Sequence, residues 1–315
     1  MTFLRRFSRR SRPDKELSRW LGVHAGAHQV FVAEAARGDG QPTVRSCRRF
    51  EGVEAMDAML SWQRQVAWRY ARTNLLLDGG DYQILLIDEP KVEPAERNSA
   101  ARWLIKDMID YPVEQAAVQC LVLPGSDDSP LAQRRLLTVV SRKQTAFEWM
   151  NRWQRSRMAL TSIDIPELAL RNLAVLASGP AAVAFLHVGI DHANLIMVWQ
   201  EDLCTFRRLD VSALMLHDSV AEKRESLVER LGLEVQRTAD AFGRQFHAAD
   251  LTQLWVSSVD DAVGLCDALS RQIYLKAQPF VLGDWVKFET DAPPYDIQLG
   301  IDYTLAIGAA LRQEA

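Results

Sequence analysis

The chain has 315 residues, a formal net charge of −4, 48% apolar residues and 25% charged ones. That length exceeds one small core and suits a single bilobed unit or two domains. The mix is that of a soluble globular protein, which leaves little room for disorder away from the ends. The longest apolar runs, Ala181–Leu186 and Leu195–Trp199, fall far short of the roughly 20 residues that cross a bilayer, so no spanning helix is expected.

The first nineteen residues carry Arg5, Arg6, Arg9, Arg10, Arg12, Lys15 and Arg19 against only Asp14 and Glu16, with Phe3, Leu4 and Phe7 interleaved. Ser8–Lys15 is polar where a signal peptide would be apolar, so none is expected. Residues 1–19 read as a basic, flexible tail. It is either simply solvated or a tether to anionic lipid through Arg5, Arg6, Arg9, Arg10 and Arg12, each basic residue near the surface contributing about 1 kcal/mol. Nucleic acid is disfavoured, because no basic, aromatic-rich surface follows.

The folded body begins at Trp20. Trp20–Ala25 and Gln29–Ala36 read as hairpin strands around Gly26-Ala27-His28, and Thr43–Phe50 adds a third. Met56–Tyr70 has helical spacing. Asn74–Leu77 and Tyr82–Ile87 are strands flanking Asp78-Gly79-Gly80. Past Pro90, Pro94–Asp110 is expected to be helical, with proline at its start. Val113–Leu123 and Arg134–Val140 are expected to be strands, split by a loop rich in turn residues, Pro124–Pro130. Gln144–Ser156 is helical, Leu160–Ile165 a strand and Pro166–Leu176 a helix. Residues 89–163 thus form an α+β insert within a first lobe of residues 20–88, which the helices at 164–178 and 301–315 complete.

After Gly179-Pro180 the opening pattern returns. Ala182–Val188 and Asn194–Gln200 flank Gly189-Ile190-Asp191-His192, and Cys204–Leu209 is the next strand. A long helix, Lys223–Phe246, is interrupted softly at Gly232. Leu254–Ser257 is a strand, Val259–Leu269 a helix and Ile301–Arg312 a closing helix. Residues 180–300 therefore form a second lobe like the first, as an internal duplication implies.

Cys47, Cys120, Cys204 and Cys266 lie far apart with no C-x-x-C pair, which fits reduced, buried thiols better than disulfides or zinc. No G-x-S-x-G, H-E-x-x-H or Walker loop is present. Glu234 and Arg237 either face a cleft between lobes or form a helical i,i+3 ion pair, the favoured reading. Asp107 and Asp110 are expected on a solvated helix face.

A glycine turn in each lobe brings backbone N–H groups toward a phosphate. Working enzymes of this design set an Asp before each turn, because Mg²⁺ requires oxygen ligands. Here the positions read His24-Ala25-Gly26 and His187-Val188-Gly189, and imidazole is a poor magnesium ligand. Where an adenine pocket uses a glycine pair after the strand Leu254–Val256, this chain has Ser257-Ser258. Gly26, Gly189, His24, His187, Ser257 and Ser258 therefore outline a vestigial nucleotide cleft. Zinc between the two histidines is disfavoured for want of evident carboxylate or thiolate help.

Five stretches carry a resemblance. Leu75–Leu85 (LLLDGGDYQIL), Ala101–Glu114 (ARWLIKDMIDYPVE), Ile163–Asn172 (IDIPELALRN), Leu233–Arg237 (LEVQR) and Leu305–Arg312 (LAIGAALR) occur in that order. Together they resemble the MshI proteins of MSHA pilus biogenesis, over about residues 20–312. MshI is similar to PilM, to type II secretion platform proteins and, more remotely, to FtsA. The resemblance implies an α/β, actin-like (RNase H-like) two-lobe fold with an inserted small α+β subdomain. It further implies a cytoplasmic scaffold, peripheral to the inner membrane, that holds the tail of a PilN-like partner and couples to a PilO-like one. The eroded motifs lead us to expect a pseudo-ATPase without catalytic residues, resident metal or cofactor, ATP with Mg²⁺ being the cofactor to test. The alternatives are a nucleotide-binding regulatory switch of the same machine and, further off, an active ATPase.

Overall fold

A computed structural model describes residues 18–26, 28–38, 40–65, 72–124, 134–156, 160–290 and 293–313. The basic tail before Ser18, residues 66–70 of the first expected helix and the tip of the Pro124–Pro130 loop lie outside the described residues.

The chain opens with three antiparallel strands, β1 (Ser18–Ala25), β2 (Gln29–Arg37) and β3 (Thr43–Glu51), and a helix, α1 (Ala55–Gln65). Strand β4 (Arg72–Leu76) then returns parallel to β1, with His24 opposite Leu76. Leu21 and Val23 of β1 and Val30 and Val32 of β2 pack against Met56, Met59 and Leu60 of α1. Their alternation along the strands and their i, i+3, i+4 spacing on the helix put these side chains on one seam.

Next come β5 (Tyr82–Asp88), α2 (Arg97–Leu104), β6 (Ala116–Val122), β7 (Arg135–Arg142) and α3 (Lys143–Ser156). β5, β7 and β6 make a separate three-stranded antiparallel sheet in that order. Tyr82–Ile87, expected in the first lobe, pairs wholly with β7. The chain then rejoins the first sheet through β8 (Ser162–Asp164), parallel to β4. Helix α2 is much shorter than the expected Pro94–Asp110: it stops at Leu104 and turns, with Ile105 buried and Ile109 packed beside it. Pro112 disfavours helical backbone at Tyr111, so the chain turns before it. Asp107 and Asp110 consequently share no helix, and Asp110 lies 3.5 Å from Arg142.

Helix α4 (Pro166–Ser178) starts on a proline and ends at Gly179, whose φ of +56° suits glycine. Beyond it lie β9 (Val183–Val188), β10 (Ala193–Trp199), β11 (Asp202–Leu209), α5 (Ala213–Asp218), α6 (Ala221–Gln245), β12 (Gln253–Ser258), α7 (Ala262–Leu269) and β13 (Lys276–Pro279). The five strands form a second sheet, ordered β11-β10-β9-β12-β13. Helix α6 is unbroken at Gly232, which is buried where a Cβ would crowd Gln272. That glycine serves close packing rather than a break. Glu234 and Arg237 form the i,i+3 ion pair at 3.1 Å.

The closing segment crosses back. After α8 (Leu282–Trp285), β14 (Lys287–Phe288) adds to β3 of the first sheet. A small hairpin of β15 (Tyr295–Asp296) and β16 (Ile301–Asp302) leads to α9 (Thr304–Ala310). The helix expected over 301–315 is thus shorter, because Ile301 and Asp302 pair with β15, and Asp302 accepts from Thr304 N at the helix start instead of joining the helix.

Helix α9 lies on β1, β2 and β4, while α4 packs on both α9 and the second sheet. Two glycines permit this crossing: a Cβ on Gly22 would run into the Ala306 carbonyl, and one on Gly308 into that of Ala169. Asn172 Nδ2 donates to Gly308 O (2.9 Å), Asn74 Nδ2 to Ala309 O (3.1 Å), and Arg312 pairs with Asp164. One continuous core joins both sheets through these two helices.

Candidate functional site

The turn after β1 and the turn after β9 face each other across a cavity of about 260 Å³. It is lined by His24, Gly26 and His28 from the first, and by His187, Gly189, Asp191 and His192 from the second, with Asp302 on its floor. The structure thus brings together four of the six sequence-derived residues. Ser257 stands behind His187 and Ser258 beside Val188, both buried in β12.

Asp302 is the residue that sequence reasoning missed. Its Oδ2 lies 3.0 Å from His187 Nε2, and its Oδ1 accepts from Thr304 N at 2.9 Å. Burial alone would raise its carboxyl, but His187 and the Thr304 N–H outweigh this and hold it below the ordinary carboxylate range. The other His187 nitrogen, Nδ1, is 3.2 Å from Ser257 Oγ. The expectation that the histidines lack carboxylate help is therefore corrected: the carboxylate comes from the far end of the chain. Its signal was present as an Asp two residues before Thr304 and an apolar run, a helix-capping pattern.

Burial also lowers His24, against the pull of Asp302 and Asp78, and its Nδ1 is buried without a hydrogen-bond partner. His192 is pushed down to about 4 by burial and by Arg208, whose Nη2 is 3.5 Å from its Nδ1. Arg208 crosses from β11 to the Asp78–Gly80 turn and leaves no room for a Cβ at Gly79. Nearby, Tyr82 Oη donates to Glu167 Oε2 at 2.6 Å, fastening β5 to α4.

The polar groups of this cavity are largely bonded to one another. Both Asp302 oxygens are engaged, one beside His187 and the other accepting from Thr304 N. The glycine N–H groups are spent within their own turns, Gly26 N on Gln29 O (2.8 Å) and Gly189 N on His192 O (3.1 Å). Among the described residues no three His, Cys, Asp or Glu side chains converge as a metal ion would need. Cys120, Cys204 and Cys266 are buried free thiols, and burial pushes Cys204 and Cys266 up to about 12.

A second concavity lies between the three-stranded sheet and the first sheet. Ala117, Leu121, Val139, Ala146, Ile163 and Leu168 line an apolar groove of about 60 Å³, enough for a small anchoring side chain. β6 is an edge strand there, and one of its backbone donors, Cys120 N, is already taken by Asn98 Oδ1 at 2.9 Å.

No family model and no curated relative matches the sequence. Solved structures do. A PilM–PilN type IV pilus biogenesis complex matches 92% of this chain and 97% of its own, with a TM-score of 0.68 and 16% identity. The cytoplasmic domain of EpsL, an inner-membrane component of the type II secretion system of Vibrio cholerae, matches 95% and 97%, with a TM-score of 0.51 and 13% identity. The fold is actin-like. A Bacteroides thetaiotaomicron protein described as having an actin-like ATPase fold matches 95% of this chain and 98% of its own, with a TM-score of 0.47 and 10% identity. At these identities the likeness to the PilM–PilN and EpsL structures establishes architecture and nothing finer. Among the described residues no helix is long and apolar enough to cross a membrane.

Proposed function

We propose that this chain is a cytoplasmic adaptor of a type IV pilus assembly platform, of the MSHA type that its sequence resembles. It sits beneath the inner membrane, holds the short cytoplasmic tail of a PilN-like partner, and passes motion to that partner and a PilO-like neighbour. Its interlobe cleft hydrolyses no ATP. The observation that carries this reading is the apolar groove beside edge strand β6, in a chain whose fold is shared with a chain of a PilM–PilN type IV pilus biogenesis complex. Because Asn98 occupies part of the β6 edge, the tail docks chiefly by seating an apolar side chain, with strand-like contacts as support.

Anisotropy of a labelled peptide, the N-terminal cytoplasmic tail of the PilN-like partner, tests this directly. Saturable binding is expected, weakened tenfold or more by Leu121→Asp and by Val139→Asp in variants whose circular dichroism matches the parent. A tail that does not bind, or binds both variants as well as the parent, ends the reading.

The cleft has its own test. Titration calorimetry with ATP and ADP, with and without Mg²⁺, is expected to give no heat at millimolar nucleotide. Saturable binding in the micromolar range would instead put the nucleotide-regulated switch first.

A further inference from the structure

Four of the chain's six histidines line one cavity, yet the bonds that matter there are internal. A continuous chain of side chains runs from Ser257 Oγ through the His187 ring to the Asp302 carboxylate, and from there to the backbone of Thr304. Ser257 and His187 belong to β12 and β9 of the second sheet. Asp302 belongs to the segment that opens α9, and α9 lies on β1, β2 and β4 of the first sheet. The His187–Asp302 contact therefore ties the two halves together at the floor of the cleft between them. His187 is 1% exposed and Asp302 9%, so the bond is shielded from water and salt, and losing either partner strands a buried polar group. Gly189 belongs to the same arrangement: a Cβ there would stand 3.2 Å from both Asp302 Oδ2 and His187 Nε2.

We propose that the His187–Asp302 bond is a built-in latch between the lobes, holding the cleft in one state of closure without a ligand. Clefts between two lobes ordinarily gain their closing contacts from what they bind, and open when it leaves. Here the closing contact is part of the polypeptide, so closure is intrinsic and needs no ligand. His24 of β1 and Asp191 and His192 of the β9–β10 turn line the same cavity around the bond. Arg208 of β11, lying over Gly79 and beside His192, adds a second contact across the same mouth. This latch goes beyond the adaptor reading and stands or falls separately from it.

Hydrogen–deuterium exchange of the full-length chain decides the matter, using Asp302→Ala, His187→Ala, the double variant and the milder Asp302→Asn. Asp302→Asn keeps the shape and can still bond His187 in its other tautomer, so it remains informative if the alanine variants do not fold. The latch predicts exchange about tenfold faster or more in peptides covering residues 24–31 and 187–194 of the alanine variants, with peptides of β6 and β7 unchanged. It also predicts a double variant no faster than the singles, and Asp302→Asn lying between parent and alanine. Parental exchange in the cleft peptides of every variant would overturn the proposal. So would acceleration spread evenly over the whole chain, β6 and β7 included, since that signals general destabilisation rather than an opened cleft.

Discussion

Tyr82 and Glu167 show how much rests on single polar contacts. Burial raises the Glu167 carboxyl, and the Tyr82 hydroxyl partly offsets that by donating to it. Tyr82→Phe leaves the buried carboxyl without this donor and is expected to cost about 1–3 kcal/mol in urea unfolding. Tyr82→Phe combined with Glu167→Leu should recover part of that, because both ends are then apolar. The histidines predict a pH dependence. His24 and His192 have folded pKa values below that of an unfolded chain, His192 at about 4. The unfolded chain therefore takes up protons first as pH falls, and stability should decline between about pH 6.5 and pH 4. His192→Asn should flatten part of this decline in thermal denaturation run across that range, and an unchanged slope would exclude His192 as a source. At this scale the sequence was half legible. His24 and His187 stood out because a local pattern of strand, glycine and turn marks their positions. Asp302 did not, since it lies 115 residues beyond His187 and only the folded chain brings them together.

Elements meet most tightly where α9 crosses. Gly22→Ala is expected to cost about 1–3 kcal/mol, because the new Cβ meets the backbone of α9 rather than a side chain that can turn away. Gly308→Ala should behave alike against α4, and chemical denaturation of both variants checks the pair. Periodicity was a good guide to the long elements. Met56, Met59 and Leu60 announced α1, and α6 matched its expected span to within two residues at each end. It failed for β14, β15 and β16, each two residues long. Strands that short have no alternation to read, and their partners decide them. The overlong reading of α2 has a similar origin: apolar spacing continued past Leu104, while the chain turned to bury Ile105 and reach Pro112.

For the whole molecule, the repeated opening of strand, glycine turn and strand suggests two like sheets, and the two larger sheets share a local strand arrangement. In each, the first strand of an antiparallel triplet lies at the centre, with the next strand in sequence beside it and a parallel strand on its far side. What repetition could not tell was that α4 and α9 fill the space between the sheets and weld them into one core. A chain ended at Tyr303 is therefore expected to lose its cooperative unfolding transition in calorimetry rather than merely fray, because the first sheet and the facing side of α4 would be left bare. The same placement of α9 has a consequence for synthesis. Every strand that this helix covers is translated before it, so for most of its time on the ribosome the nascent chain carries strands whose α9-facing side has no cover. Folding can reach completion only after residue 310 has emerged, and until then that apolar face stays open to water and to other chains.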